Sequence, residues 1–328
     1  MYALEFAGTD DAFAAREAER AATAIEVVGS GLATARGISS DPLQGLAFTH
    51  AADELIARTD ADVDAARTAL EVANVERDGT VAVRARDVRG TTGIDTQRTE
   101  RELGAALVER GFEVDLDDPD HELRALFTRT DDDTAGICLL GWLAVESVRD
   151  YGERAPSDRP FFQPGSMDPM LARALVNLAG AGPGKTVLDP MCGTGGILIE
   201  AAAVGASVIG SDAQVKMVRG AAQNLASEIP DASRGVLRAD ATRLPLPDDA
   251  VDAVVFDTPY GRQSRIRGEG PTQLVAAALA ETRRVAGRTV VVGDQDLTEI
   301  AEDAGWTLES RFERRVHRSL VRHVHVLG

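Results

Sequence analysis

Two short stretches of the chain hold residues whose types and spacing suit chemistry. The first, VVFDTPYGRQ over residues 254–263, is an apolar run that stops on a carboxylate, Asp257, followed at once by Thr258, Pro259 and Tyr260. Asp, Pro and Gly are also ordinary turn residues, so this stretch alone does not separate a reactive acid from an Asp-led turn. The second, LDPMCGTGGILIEAA over residues 188–202, sets Gly193, Gly195 and Gly196 in a tight strand-to-helix turn, which lets a ligand approach the backbone. The G-x-G-x-x-G spacing of a nicotinamide site is broken, because Leu198 stands at the third glycine position. Asp212 follows Asp189 by 23 residues, the reach at which a second strand's acid takes ribose hydroxyls. These features fit an adenosine ligand with no pyrophosphate to cradle.

The elements that must position these residues alternate along the second half. KTVLD, ASVIGSD, GVLRAD, AVDAVVFD and RTVVVGD read as strands; GGILIEAAAVG, AQVKMVRGAAQNLASEI and PTQLVAAALAETRRVAG read as helices. Such βαβ succession predicts an α/β, parallel, doubly wound sheet. Ligands on such sheets bind outside the carboxyl ends of the strands, near the point where strand order reverses. Asp189, Asp212, Asp240 and Asp257 each close a predicted strand, which places four carboxylates along one crevice. Chance turn chemistry explains that poorly.

Composition limits the classes. At 328 residues the chain accommodates about two domains with cores. The start has no signal-peptide pattern and no run reaches transmembrane length, so a cytoplasmic protein without a membrane partner is expected. Cys138 and Cys192 are the only cysteines, which leaves no disulfide framework and no CxxC metal pair. There are 53 acids against 35 bases, and since Lys185 and Lys216 are the only lysines, 33 of the bases are arginine. An acidic, lysine-poor surface suits a cytoplasm with molar salt, where long-range repulsion is screened. High salt also suppresses electrostatic affinity for phosphate, so net charge does not vote against nucleic acid. Residues 1–160 carry 33 acids and 17 bases, net −16, whereas 161–328 carry 20 acids and 18 bases, net −2. The change falls at YGERAPSDRPFFQPGSMDP, which reads as a linker. The last eighteen residues hold five arginines and three histidines against one Glu.

DPMCGTGG together with DTPYG resembles the S-adenosyl-L-methionine-dependent amino-methyltransferases that act on nucleic acid, and among them the archaeal tRNA (guanine-10-N2) methyltransferases. The resemblance covers nearly the whole chain: RPFFQPGSMDP is similar to the segment before the first motif, and HRSLVRHVHVL to the closing strand. Residues 81–127 resemble a THUMP domain, an RNA-binding module. The resemblance implies a ferredoxin-like region over 1–50, a THUMP-like domain over 51–148, a linker over 149–165 and a Rossmann-like methyltransferase domain over 166–328. It implies transfer of methyl to the exocyclic N2 of a tRNA guanosine, with no metal. Methylation of another RNA or DNA base, or an inactive RNA-binding scaffold, are the alternatives; an intact glycine turn and DTPY set speak against the scaffold.

Laid on this sequence, the resemblance implies that Phe162, Ser166 and Met167 hold the methionine end of the cofactor. Asp189, Gly193, Thr194 and Gly195 form its floor, Asp212 binds the ribose, and Asp240 with Ala241 faces the adenine. Cys192 packs in the turn, since one strand-end thiol is a poor case for a nucleophile. Asp257 and the carbonyl of Thr258, before Pro259, accept the two hydrogens of the guanine amine, and Tyr260 offers a stacking face to a flipped base. The family's usual pattern is Asp-Pro-Pro-Tyr. Because the residue before Pro259 is already biased to an extended backbone, Thr258→Pro is expected to leave activity within about threefold.

Other features read as structural. His323 and His325 lie on one face of a strand with no third ligand nearby, and are expected to be solvated or to face phosphate. Arg84, Arg86 and Arg89 either meet phosphates or form a salt-bridged strand face. The acidic stretches DLDDPDHE and RTDDDTAG lack calcium-loop spacing and read as solvated loops.

Overall fold

The computed structural model describes residues 1–129, 135–259, 271–317 and 320–328. The described chain divides into two compact units, Met1–Val148 and Arg149–Gly328.

The first unit is α+β. It runs β1 (Tyr2–Phe6), α1 (Asp11–Ala18), β2 (Ala22–Thr23), β3 (Glu26–Gly29), β4 (Leu32–Ala35), β5 (Gly37–Ile38) and α2 (Ser40–Gln44). It continues through β6 (Thr49–Asp60), α3 (Val63–Val72), β7 (Thr80–Asp87), α4 (Thr96–Glu109), β8 (Glu113–Val114), β9 (His121–Thr128) and β10 (Ile137–Glu146). Eight of these strands form one sheet in the order β3-β4-β1-β6-β10-β9-β7-β8. The long β6 pairs with both β1 and β10, so β1, β3 and β4 share that sheet with the strands of residues 51–148, while β2 and β5 pair separately. Helix α4 buries Thr99, Leu103, Ala106 and Leu107, one face at helical spacing. That face meets Val83, Leu123, Phe127 and Leu140 from the strands.

The arginines around β7 and β9 are taken up in ion pairs although the unit as a whole is strongly acidic. Arg84 pairs with Glu122 at 3.6 Å, Arg86 with Glu5 at 3.0 Å and Arg89 with Asp11 at 2.6 Å. Buried Arg124 bridges Glu5 and Asp53, and burial pushes the Asp53 carboxyl up to about 7 against the pull of that guanidinium. Arg84 and Arg86 of β7 and Arg89 in the turn after it are thus held in ion pairs. In DLDDPDHE, Asp115 accepts the N–H groups of Asp117 and Asp118, and Asp120 accepts that of Thr80. Residues 130–134 of the other acidic stretch lie outside the described residues.

The second unit runs α5 (Pro169–Leu178), β11 (Thr186–Asp189), α6 (Gly196–Ala203), β12 (Ser207–Asp212), α7 (Val215–Glu228), β13 (Arg234–Arg238) and β14 (Ala253–Asp257). Then come α8 (Pro271–Val285), β15 (Thr289–Gly293), α9 (Thr298–Asp303), β16 (Leu308–His317) and β17 (Leu320–Leu327). The sheet order is β13-β12-β11-β14-β15-β17-β16. The chain enters at β11, builds outward to β13, then returns to β14 on the other side of β11. Strand order therefore reverses between β11 and β14, at the carboxyl ends where Asp189 and Asp257 stand. Phe256, Val254, Leu188 and Val291 join Leu279 and Trp306 in the core beneath. β14 is a continuous apolar run because both sheet faces are covered there.

Two differences from the sequence reading have plain causes. The sheet is parallel only as far as β15; β17 pairs antiparallel with β15 and with β16. Only two residues separate β16 from β17, too few for a parallel crossover. The stretch read as a linker is built into the second unit. Arg154 pairs with Asp150 and, at 2.8 Å, with the fully buried Glu200 of α6, which Arg173 of α5 also holds at 2.7 Å.

Candidate active site

Gly193 and Gly195 take φ of 51° and 83°, a left-handed backbone that side-chain-bearing residues avoid. A Cβ at Gly195 would come within 3.3 Å of Ala221 on α7, whereas one at Gly193 would enter open space. The Gly193 N–H donates to Asp212 Oδ2 at 3.2 Å, and the Gln214 N–H donates to Oδ1 at 2.8 Å. The glycine turn and the end of β12 are thereby tied together.

Three of the four strand-end acids share one electrostatic environment. Asp189 is only 2% exposed and accepts the Met191 N–H at 3.0 Å. Burial raises its carboxyl well above the usual range, and the negative charges of Asp212 and Asp257 push the same way. Burial also raises Asp212, against its two backbone donors. Asp240 departs from the expectation that it closes a strand. The β13 ladder ends at Arg238, and the exposed Asp240 accepts the N–H and hydroxyl of Thr242 instead. An Asp that can cap its own turn does so once the strand has lost its neighbour. Ala241 beside it is buried.

The segment before the first motif is anchored by residues that the sequence reading did not single out. Buried Asn224 of α7 accepts the Phe161 N–H and donates to the carbonyls of Phe161 and Thr194, all within 2.9 Å. The Phe161 ring lies on Gly220, where a Cβ would come within 1.9 Å of a ring carbon, and Lys216 Nζ sits 5.5 Å from the ring centroid. This anchoring carries the nearby Ser166 hydroxyl to 3.1 Å from Thr194 Oγ1, with Met167 buried and Phe162 47% exposed. The signal available in the sequence was a Gly and an Asn at i and i+4 on an otherwise amphipathic helix.

That contact carries a prediction. Gly→Ala inside a helix is ordinarily stabilising by about 1 kcal/mol. At Gly220 the new methyl displaces Phe161 and the segment bearing Ser166 and Met167, so Gly220→Ala is expected to weaken S-adenosylmethionine binding by ~10-fold or more. Isothermal titration calorimetry in molar KCl measures this directly; unchanged affinity would show that the segment does not line the cofactor site.

Cys192 is buried with its Sγ 3.2 Å from where a Gly210 side chain would begin, and burial drives its thiol strongly upward. It fills space and is held as a thiol. His325 is fully buried, contrary to the expectation of a solvated ring: its Nε2 is 3.0 Å from both the Leu297 N–H and Asp296 Oδ1. Its strand lies inside the sheet beside β15, not on a free face. Among the described residues no group of three or more His, Cys, Asp or Glu is placed to hold a metal ion.

At the end of β14, Arg322 of β17 reaches Asp257 Oδ2 at 3.3 Å. Thr258 is buried, and its N–H donates to the Val292 carbonyl of β15 at 2.8 Å. Pro259 is half-buried; Tyr260 lies outside the described residues. The Thr258 bond adds a stability cost to Thr258→Pro that the local backbone preference does not show. Proline deletes that donor and strands a carbonyl, so the substitution is expected to cost ~1–3 kcal/mol of stability. Thr258→Ala keeps the N–H and should lose less. Urea denaturation of the two variants separates the cases, and a proline variant as stable as the parent would show that the bond is dispensable.

The donors present fit the expected cofactor: an open glycine turn for close backbone approach and a carboxylate at the end of β12 for a diol. Residues 156–324 match the family model described as RMKL-like, methyltransferase domain. A tRNA (guanine(10)-N2)-dimethyltransferase of Methanothermobacter thermautotrophicus is 36% identical over 86% of this chain and 83% of its own length. One of Pyrococcus abyssi is 30% identical over 76% of this chain and 74% of its own. Among solved structures, TrmN from Thermus thermophilus superposes with a TM-score of 0.53 at 25% identity, covering 100% of this chain and 99% of that one.

Proposed function

The chain belongs to the RMKL-like methyltransferase family, and from that premise we propose that it transfers methyl from S-adenosylmethionine to the exocyclic N2 of a guanosine in tRNA. Guanosine-10 is the position in the names of the Methanothermobacter and Pyrococcus relatives, and the product here would be N2-methyl- and/or N2,N2-dimethylguanosine. One juxtaposition carries the reading: Asp257 ends β14 directly across the reversal of strand order from the Asp189 glycine turn, close enough for its charge to raise Asp189.

When bound, S-adenosylmethionine supplies an electrophilic methyl group. The glycine turn and Asp212 would hold its adenosine; Ser166, Met167 and Phe162 would flank the methionine end; Ala241 and Asp240 would border the adenine. The guanine amine is a weak nucleophile because its lone pair is delocalised into the ring. Asp257 accepts one amino hydrogen and the Thr258 carbonyl the other, which turns the lone pair toward the methyl. Asp257 takes the released proton once the C–N bond has formed. Tyr260 gives the flipped base a face. Positioning supplies most of the acceleration, with up to ~7–11 kcal/mol available from it. The acidic, arginine-rich surface suits assay and function in molar salt.

Mass spectrometry of tRNA nucleosides from a deletion strain and its parent tests the proposal. Loss of N2-methylated guanosine in tRNA is the expected result. Unaltered tRNA with a missing methyl in ribosomal RNA or DNA would move the substrate to another nucleic acid, and no missing methyl at all would favour a non-catalytic scaffold.

A further inference from the structure

Arg322 is 5% exposed on β17, yet its guanidinium reaches the end of β14, two strands away. At normal strand spacing that span is about 9.5 Å, which needs one of the longest side chains. β15 lies between and ends its ladder at Gly293, paired with His323, so Arg322 passes beyond the last paired residue of that strand. On its other side Arg322 stands directly across from Arg314 of β16. At the far end of that reach its guanidinium meets a carboxylate. A cation on Asp257 Oδ2 favours the charged carboxylate and fixes its plane at the turn.

We propose that Arg322 is a positioning residue for methyl transfer: its guanidinium holds Asp257 Oδ2 so that the carboxylate meets the acceptor amine as a correctly oriented anion. The pair also gives the antiparallel β16–β17 hairpin a purpose at the catalytic turn, alongside the Thr258–Val292 bond that pins the same turn from β15. The proposal rests on the reading of Asp257 as the group that touches the amine.

The test is single-turnover methylation of tRNA by the full chain in molar KCl, with cofactor and tRNA affinities measured separately. Arg322→Gln is expected to slow transfer by ~30-fold or more, with both affinities within about threefold, because the loss falls on the transition state. Arg322→Lys, which keeps the cation, should recover to within about fivefold of the parent. Placed on Asp257→Ala, Arg322→Gln should add less than about threefold, since two residues acting as a unit are non-additive. Arg322→Met keeps the apolar stem and covers the case in which the glutamine variant does not fold. A parent-like rate in the Gln or Met variant, or full additivity with Asp257→Ala, would overturn the proposal and leave the assignment of the reaction standing. A parent chain that leaves tRNA unmethylated would overturn both.

Discussion

Replacing Asp257 with alanine is expected to lower single-turnover methyl transfer by at least ~10²-fold while cofactor affinity stays within about tenfold. The asymmetry follows from position. The groups assigned to the cofactor are tied to one another: Gly193 to Asp212, Thr194 to Asn224, Ser166 to Thr194. None of these ties runs through Asp257, which stands on the next strand over and is held by Arg322. Removing its charge relieves Asp189 of a like-charged neighbour, a small change on the cofactor side. On the proposed mechanism, removing its oxygens takes away the acceptor that orients the amine and the base that receives the proton. Asp257→Asn keeps an oxygen acceptor without the charge and should fall between parent and alanine variant. Near-normal single-turnover rates for Asp257→Ala would remove the residue from the mechanism.

The second large effect concerns the two units. Residues 149–328 alone are expected to bind S-adenosylmethionine within about tenfold of the full chain but to methylate tRNA at least ~10³-fold less efficiently, equivalent to about 4 kcal/mol of lost anchoring. Base flipping costs a few kcal/mol, and something must hold the RNA while that cost is offset. On the proposed reading the second unit would hold one base and carries a mildly basic end, so the anchoring is expected from the first unit, gripping RNA through shape and backbone. The cut must come at residue 149. A cut at 161, where the charge balance changes, would delete Arg154 from the fully buried Glu200 and leave Arg173 as its remaining ion-pair partner. Breaking a buried pair costs ~3–5 kcal/mol and would confuse instability with lost RNA binding. Both proteins belong in molar KCl, because an acidic surface repels itself in dilute buffer. Equal tRNA methylation by a folded 149–328 fragment would show that the first unit is not the anchor.

Much of this site is legible in the sequence because it is local. The apolar run into Asp257, the glycines after Asp189 and the 23-residue step to Asp212 are short-range patterns set by strand and helix periods and by backbone geometry that glycine alone tolerates. They placed three acids and the glycine turn at the carboxyl ends of strands, where the structure has them. Asp240 missed by two residues because a strand ends where its neighbour stops pairing, which is not written in its own residues. The rest was decided by tertiary structure. Arg322 lies 65 residues from Asp257, Asn224 lies 63 from Phe161 and Glu200 lies 46 from Arg154, and each pair meets only because sheet order and helix packing bring distant elements together. Alone, an Arg on a hairpin strand or an Asn on an amphipathic helix reads as surface. His325 was read as solvated for the same reason: alternation tells which residues share a face, but only the position of the strand in the sheet decides whether that face is covered.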